Sequence, residues 1–335
     1  MNAPERILLI RLKSIGDILF TLPAVHRVRD NFPEARISFL VSKEHAPLLE
    51  GFRDVDEVLT LDRAPFHRKQ IGAMCAETLR LVQRLRRGRF SLVVDFQGYG
   101  ETALLTWLTR APQRWGSVYR AGRRWAYTQG VARNDKIQIA DWNLSLLEQC
   151  GLRRTPVRNE FCLPAHAAAS AKKFFAENGL DPAKPTLFIQ PFTSSAQKNW
   201  PLVKYLALAK YWRAAGVQVI FGGGPADGTA LVPVRREDFV TSAGVPLLTS
   251  AALIELSALL VGGVTGLLHL AVAMNKRVVM LIGHAAREPG FPYQHRDWAV
   301  AADSLPVAAI PAESVIEATT KAFAELGVIH SALGV

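Results

Sequence analysis

Short apolar runs alternating with helical patterns predict an α/β fold, with mostly parallel sheets wound on both sides. Three observations carry the prediction. The run at 7–10 is continuous rather than alternating, as in a strand buried on both faces. Helix-length apolar or amphipathic segments separate such runs. The pattern then restarts after a composition shift near Pro164, so the 335 residues divide into two similar halves.

Taken in order, residues 7–10 (Ile-Leu-Leu-Ile) form the first strand. Ile18, Leu22, Val25 and Val28 share one face of a following helix, in which Pro23 marks a kink or the true first turn. Strands follow at 37–41 and 55–61, then a polar, basic loop at 62–70 and a basic-faced helix at 71–87. Residues 90–96 predict a strand, 102–108 an apolar helix and 114–116 a strand. The stretch 118–140 reads as irregular, basic and aromatic, and 141–150 as a helix. Pro164, an Ala-rich helix at 165–178 and turn residues at 179–185 read as a linker region. The second half has strand 186–190, loop 191–200, helix 203–215, strand 217–221 and loop 222–228. It continues with a helix-like run at 253–260, a strand at 277–283 and an amphipathic helix at 312–326 that can pack on either half. The expected domains are therefore 1–164 and 186–335, joined by 165–185. Two doubly wound domains imply a central cleft where ligands bind beyond the strands' C-terminal ends.

A chain that is 49% hydrophobic and 21% charged, without low-complexity tracts, belongs with soluble globular proteins. No apolar run is long enough for a bilayer, and the N-terminus lacks a signal-peptide layout. Cys75, Cys150 and Cys162, odd in number and widely spaced, make neither a disulfide framework nor a zinc site. A cytoplasmic protein is expected. The net charge of +11 fits nucleic acid, an anionic membrane or a polyanionic substrate. Basic clusters at 84–89, 110–124 and 153–158 all lie in the first half. Trp115, Tyr119, Trp125 and Tyr127 near the second would suit single-stranded nucleic acid, but no nucleic-acid fold motif accompanies them. No nucleic-acid partner is expected.

The stretch Gly262-Gly263-Val264-Thr265-Gly266-Leu267-Leu268-His269 reads as a Gly-rich loop opening a helix. Backbone N–H groups there can approach an anion, and the helix dipole adds to them. Thr265 can cap the helix or donate its hydroxyl, and His269 falls on the first turn. A phosphate-bearing ligand fits. So does a capped helix with a tight entry turn.

With these residues in view, the chain resembles glycosyltransferase family 9, the ADP-heptose:lipopolysaccharide heptosyltransferases. The resemblance spans nearly the whole chain. It begins with the stretch from Ile7 to Ala24, through Arg11-Leu12-Lys13-Ser14-Ile15-Gly16-Asp17-Ile18, and includes Val94-Asp95-Phe96-Gln97-Gly98. It continues through Lys198-Asn199-Trp200-Pro201, Phe221-Gly222-Gly223-Gly224-Pro225 and Thr265-Gly266-Leu267-Leu268-His269. It implies the GT-B fold: an N-terminal Rossmann-like domain for the acceptor and a C-terminal one for the nucleotide-sugar. It also implies inverting transfer without a metal or other cofactor. Asp54-Val55-Asp56 has the spacing of a metal-diphosphate motif but sits before the third strand of the acceptor domain.

By that resemblance Asp17 is the general base, with a helix cap as its alternative role. Lys198, Thr265, Gly266 and His269 would hold the donor phosphates, and Asp227 the ribose, although surface or turn roles suit Lys198 and Asp227 too. Lys13, Ser14, Arg63, Arg68, Lys69, Arg120, Arg123 and Arg124 are candidates for an anionic acceptor, or else an exposed basic face. The chain departs from the family pattern at Val264, where Asp or Asn is usual, at Leu267, where Pro is usual, and at 283–289. The expected function is transfer of a heptose or related sugar from an ADP-sugar to the inner core of lipopolysaccharide or a similar anionic glycolipid. Peripheral contact with the inner membrane face goes with it. A different nucleotide-sugar donor, or a diverged non-catalytic glycan- or nucleotide-binding module, is the alternative.

Overall fold

The computed structural model describes residues 4–284, 290–302 and 304–328. The chain divides into two units, Met1–Cys162 and Leu163–Val335. In the first unit the elements are β1 (Arg6–Ile10), α1 (Ile15–Leu19), α2 (Leu22–Asn31), β2 (Arg36–Ser42), β3 (Glu57–Leu61), α3 (Ala64–His67) and α4 (Ile71–Arg87). They continue with β4 (Leu92–Asp95), α5 (Gly100–Leu108), β5 (Gln113–Val118), β6 (Gln129–Ala132) and α6 (Ile139–Gln149). The strands are parallel in the order β3-β2-β1-β4-β5-β6. Pro23 falls in the first turn of α2, where a missing N–H costs nothing, so the expected single helix is two.

The second unit contains α7 (Ala165–Glu177), β7 (Thr186–Gln190), α8 (Leu202–Ala214), β8 (Gln218–Phe221), α9 (Val232–Arg236), β9 (Val240–Thr241) and α10 (Leu247–Leu256). Then come β10 (Leu259–Gly263), α11 (Gly266–Ala273), β11 (Val278–Gly283), β12 (Ala299–Ala302) and α12 (Ala312–Glu325). Its sheet, β12-β11-β10-β7-β8-β9, is also parallel throughout. Counted within each unit, both sheets have the order 3-2-1-4-5-6 of a Rossmann fold. The second core is built on fully buried Trp200, Tyr205 and Trp212. Trp200 Nε1 donates to Ile310 O at 2.9 Å and Trp212 Nε1 to Thr319 Oγ1 at 3.0 Å, so neither indole N–H is buried unpaired.

Several expectations need correction. The run at 253–260 is not one helix: α10 ends at Leu256 and β10 starts at Leu259. Gly262 and Gly263 are the buried end of that strand rather than a loop. The helix expected at 165–178 is present as α7, and it packs on α10 within the second unit, which begins at Leu163. Of the two places open to the last helix, α12 takes the second sheet, burying Val315, Ala322 and Phe323 there. The stretch 118–140 contains β6. Of the departure at 283–289, residues 285–289 lie outside those described.

Candidate active site

In a sheet ordered 3-2-1-4-5-6 the connections leave strands 1 and 4 toward opposite faces, and the crevice above their C-terminal ends takes ligands. That place is the exit of β1 and β4 in the first unit, and of β7 and β10 in the second.

In the first unit the chain leaves β1 through Arg11, only 4% exposed. Its Nε donates to Lys13 O at 3.1 Å and its Nη1 to Phe96 O at 3.0 Å, while Nη2 pairs with Asp17 Oδ2 at 2.9 Å. Gln97 Oε1 accepts from Leu12 N at 2.9 Å, so two side chains lace the two strand exits together. Asp17 is the third residue of α1, and Ser14 is the cap. Its Oδ2 also accepts from Ser14 N and Ser14 Oγ, each at 3.2 Å, the return half of a capping box. All of these bonds fall on Oδ2. Oδ1 has no partner among the described residues, and the side chain is 28% exposed. One oxygen holds the group in place and the other is open to receive a proton.

Asp95, at the end of β4, is fully buried. Its Oδ1 accepts from Gln97 N and Gly98 N at 2.9 Å, and its Oδ2 from the Tyr127 hydroxyl at 2.7 Å. Burial pushes its carboxyl above the usual range and outweighs those hydrogen bonds, which pull the other way. Burial, with the Asp95 charge, likewise pushes the Tyr127 phenol up. Gly98 has φ +67°, and a Cβ there would stand 1.9 Å from Ser117 O, so the turn after β4 requires glycine. Arg123 Nη1 donates to Gly98 O at 3.1 Å, and Arg63 Nη2 lies 3.8 Å from Glu101 Oε2 at the start of α5. Both therefore border the β4 exit, on which Lys13 and Ser14 also converge through Arg11 and Asp17. Arg68, Lys69, Arg120 and Arg124 are exposed. Arg11 and Gln97 had no assigned role in the sequence. The available signal was an arginine continuing an apolar strand, which must find partners once buried.

The second unit is built from backbone. A Cβ on Gly262 would stand 2.6 Å from Gln190 O; one on Gly263 would stand 2.8 Å from Lys198 O and 2.9 Å from Thr193 Cγ2. The glycines thus let the loop after β7 lie directly on the end of β10, with the Lys198 backbone against Gly263, two residues before Thr265 in the chain. Thr193 N donates to Asn199 Oδ1 at 2.8 Å and Thr193 Oγ1 to Ser195 O at 2.8 Å, folding that loop on itself. Thr265 caps α11, its Oγ1 accepting from Leu268 N at 3.3 Å. The amides that open a helix have no acceptor within it, so those of Gly266 and Leu267 form a positive N-terminal end. His269 is 7% exposed, and its amide closes the first turn on Thr265 O at 3.2 Å. Asp227 follows β8, and its Oδ2 accepts from Gly224 N at 2.7 Å.

A profile of glycosyltransferase family 9 (heptosyltransferase) matches residues 78–315. The chain belongs to that family. It is a glycosyltransferase, with the paired Rossmann-like sheets of the GT-B fold. The chain is 24% identical to lipopolysaccharide heptosyltransferase 3 of Escherichia coli K12, over 92% of this chain and 96% of that one. It is 21% identical to the lipopolysaccharide core heptosyltransferase OpsX of Haemophilus influenzae, over 88% and 84%. Among solved structures, the glycosyl transferase family 9 protein of Veillonella parvula superposes with a TM-score of 0.86 at 21% identity, covering 96% and 97% of the two chains. E. coli heptosyltransferase WaaC with ADP superposes with a TM-score of 0.77 at 16% identity, covering 95% and 99%.

Asp54 and Asp56 are held in other contacts. Asp54 Oδ2 lies 2.5 Å from His26 Nδ1, and Asp56 Oδ2 accepts from Arg29 Nη2 and Ile37 N at 2.7 Å. Among the described residues no group of three or more His, Cys, Asp or Glu is placed to hold a metal ion.

Proposed function

We propose that this family 9 enzyme moves a heptose, or a closely related sugar, from its ADP-linked form to the inner core of lipopolysaccharide or a similar anionic glycolipid, with inversion. The acceptor hydroxyl attacks the anomeric carbon from the face opposite the nucleotide. The bond from that carbon to the diphosphate oxygen breaks, Asp17 Oδ1 takes the hydroxyl proton, and ADP leaves with the bonding pair. Negative charge then grows on the diphosphate. Lys198, the Thr265 hydroxyl and the amides at Gly266 are the donors for it, which makes metal-free transfer the natural reading. His269, on the first turn of that helix, is a further candidate donor to the diphosphate, and Asp227 is the candidate for the ribose. Lys13, Ser14, Arg63 and Arg123 would meet the acceptor, with Arg68, Lys69 and Arg120 toward its outer charges.

The observation that carries this reading is the anchored carboxylate with one unbonded oxygen at the switch point of the first unit; the Thr265-capped helix start that follows two close-packed glycines in the second unit supports it. The lipopolysaccharide heptosyltransferases it matches, and a neighbour solved with ADP, support the donor and acceptor class. Action on a lipid-linked acceptor places the enzyme at the cytoplasmic membrane face; no helix among the described residues is long and apolar enough to cross a membrane. Val264, half-buried immediately before the cap, favours one second reading: an altered nucleotide-sugar donor. Calorimetric titration with ADP, UDP and GDP tests the base. Preference for ADP is expected. Preference for another diphosphate would replace the donor, and no binding would favour a non-catalytic module.

A further inference from the structure

Between residues 63 and 125 there are thirteen Arg or Lys and three Asp or Glu, so this stretch holds nearly all of the chain's net charge of +11. It also carries six of the twelve large apolar side chains exposed among the described residues. These are grouped. Helix α4 presents Ile71, 75% exposed, and Leu79. Helix α5 packs beside it and presents Leu104 and Trp107, three residues apart and so on one face. Trp125 comes from the 3-10 turn Ala121–Ala126, which packs on α5; 55% exposed, it meets Trp107 edge-on with ring centroids 5.7 Å apart. Cations frame the pair. Arg86 Nε donates to Leu108 O at 3.3 Å at the end of α5, and Arg110 and Arg124 are exposed next to the two tryptophan-bearing segments.

The outer helical layer of an α/β unit is normally polar, and an apolar group left open there marks an interaction surface. Tryptophan and arginine are also common at protein interfaces, so the partner is selected by the excess of positive charge around the rings rather than by the rings themselves. Of the acids, Asp95 is buried, Glu77 is bonded to Arg80 and Glu101 is paired with Arg63, so a second copy would bring like charge against like. Indole rings with interleaved arginines suit the headgroup level of an anionic bilayer, where the ring's apolar body is covered and guanidinium meets phosphate. We propose that the face formed by α4, α5 and the Ala121–Ala126 turn docks on an anionic phospholipid surface, with Leu104, Trp107 and Trp125 entering the headgroup boundary. This rests on the proposed lipid-linked acceptor: Arg123 of the same turn donates to Gly98 O at the β4 exit, so docking sets the acceptor side of the first unit at the lipid surface.

The test is co-sedimentation of the full chain, without acceptor, with phosphatidylcholine vesicles and with vesicles of roughly 30% phosphatidylglycerol. The wild type should sediment with the anionic vesicles alone, and the double variant Trp107→Ser/Trp125→Ser should partition about tenfold or more weakly. Equal binding of the double variant, or no binding of the wild type, overturns the proposal. As a measurement free of any variant, brominated phosphatidylglycerol should quench part of the wild-type tryptophan emission, and absence of quenching overturns it too. A dimer on gel filtration that the double substitution splits would assign the face to self-association and also overturn it. ADP affinity and transfer to a delipidated, water-soluble acceptor should be unchanged in the double variant. Failure of both in the wild type would sink the proposed function and leave docking standing.

Discussion

The two units share one strand order and use it in opposite ways. At the first switch point the strand exits are crowded with charged and amide side chains: Arg11, Asp17, Asp95 and Gln97 bond one another and the nearby backbone. At the second, side chains are removed, and Gly262 and Gly263 let two backbone segments approach where a Cβ would collide. A proton acceptor has to be held at one place by directed bonds. A diphosphate is better met by a convergent set of amides and a cation. Under the proposed function, one topology serves two chemistries by changing a few residues just past strands 1 and 4.

The comparison breaks first at Asp17. Asp17→Asn keeps an oxygen for Arg11 and Ser14 but has no group to accept the proton. Transfer should fall by about 10²–10⁴-fold in a coupled ADP-release assay, and a rate within a few-fold of wild type would remove Asp17 from the base role. Gly263→Ala tests the other side. The added methyl would meet Lys198 O at 2.8 Å, so the loop must shift; ADP affinity should drop about tenfold, alongside a stability loss of roughly 1–3 kcal/mol. Unchanged ADP binding would show that the close approach does not position the donor site.

Asp95 gives a smaller effect with a definite sign. Its folded carboxyl is raised, so above the ordinary carboxylate range the folded state holds a proton that the unfolded chain has lost, and stability falls as pH rises toward the folded value. Asp95→Asn retains an acceptor for Gln97 N and Gly98 N and can donate to Tyr127. Melting curves from about pH 4 to about pH 7 should show the wild type losing ground to this variant as pH rises. Parallel curves would mean that Asp95 carries no such proton.

The fold class was legible because buried parallel strands are continuous apolar runs, and Ile7 through Ile10 or Thr186 through Gln190 lie where expected. Leu253 through Leu260 misled for the same reason. An unbroken apolar run has no period, and only the break at Ser257 separates the helix from the strand. The strand ends in two glycines because of Gln190 O and Lys198 O, contacts more than sixty residues away that no local pattern records. Edge strands β6 and β12 are short and only partly buried, so they leave a weak signal. At the site, the residues of the Asp17 and Thr265 motifs were readable from their types and order. The bonds of Arg11 to Phe96 O and of Gln97 to Leu12 N, each across 85 residues, were not.

The division between the two switch points is tested most directly by titrating ADP into Asp17→Asn and Lys198→Ala side by side in a calorimeter. The expected result is an affinity within about twofold of wild type for Asp17→Asn and about ten- to a hundredfold weaker for Lys198→Ala, the size of one lost charge-assisted contact. Equal weakening of both variants, or weakening of Asp17→Asn alone, would contradict the separation of proton acceptor and diphosphate cradle.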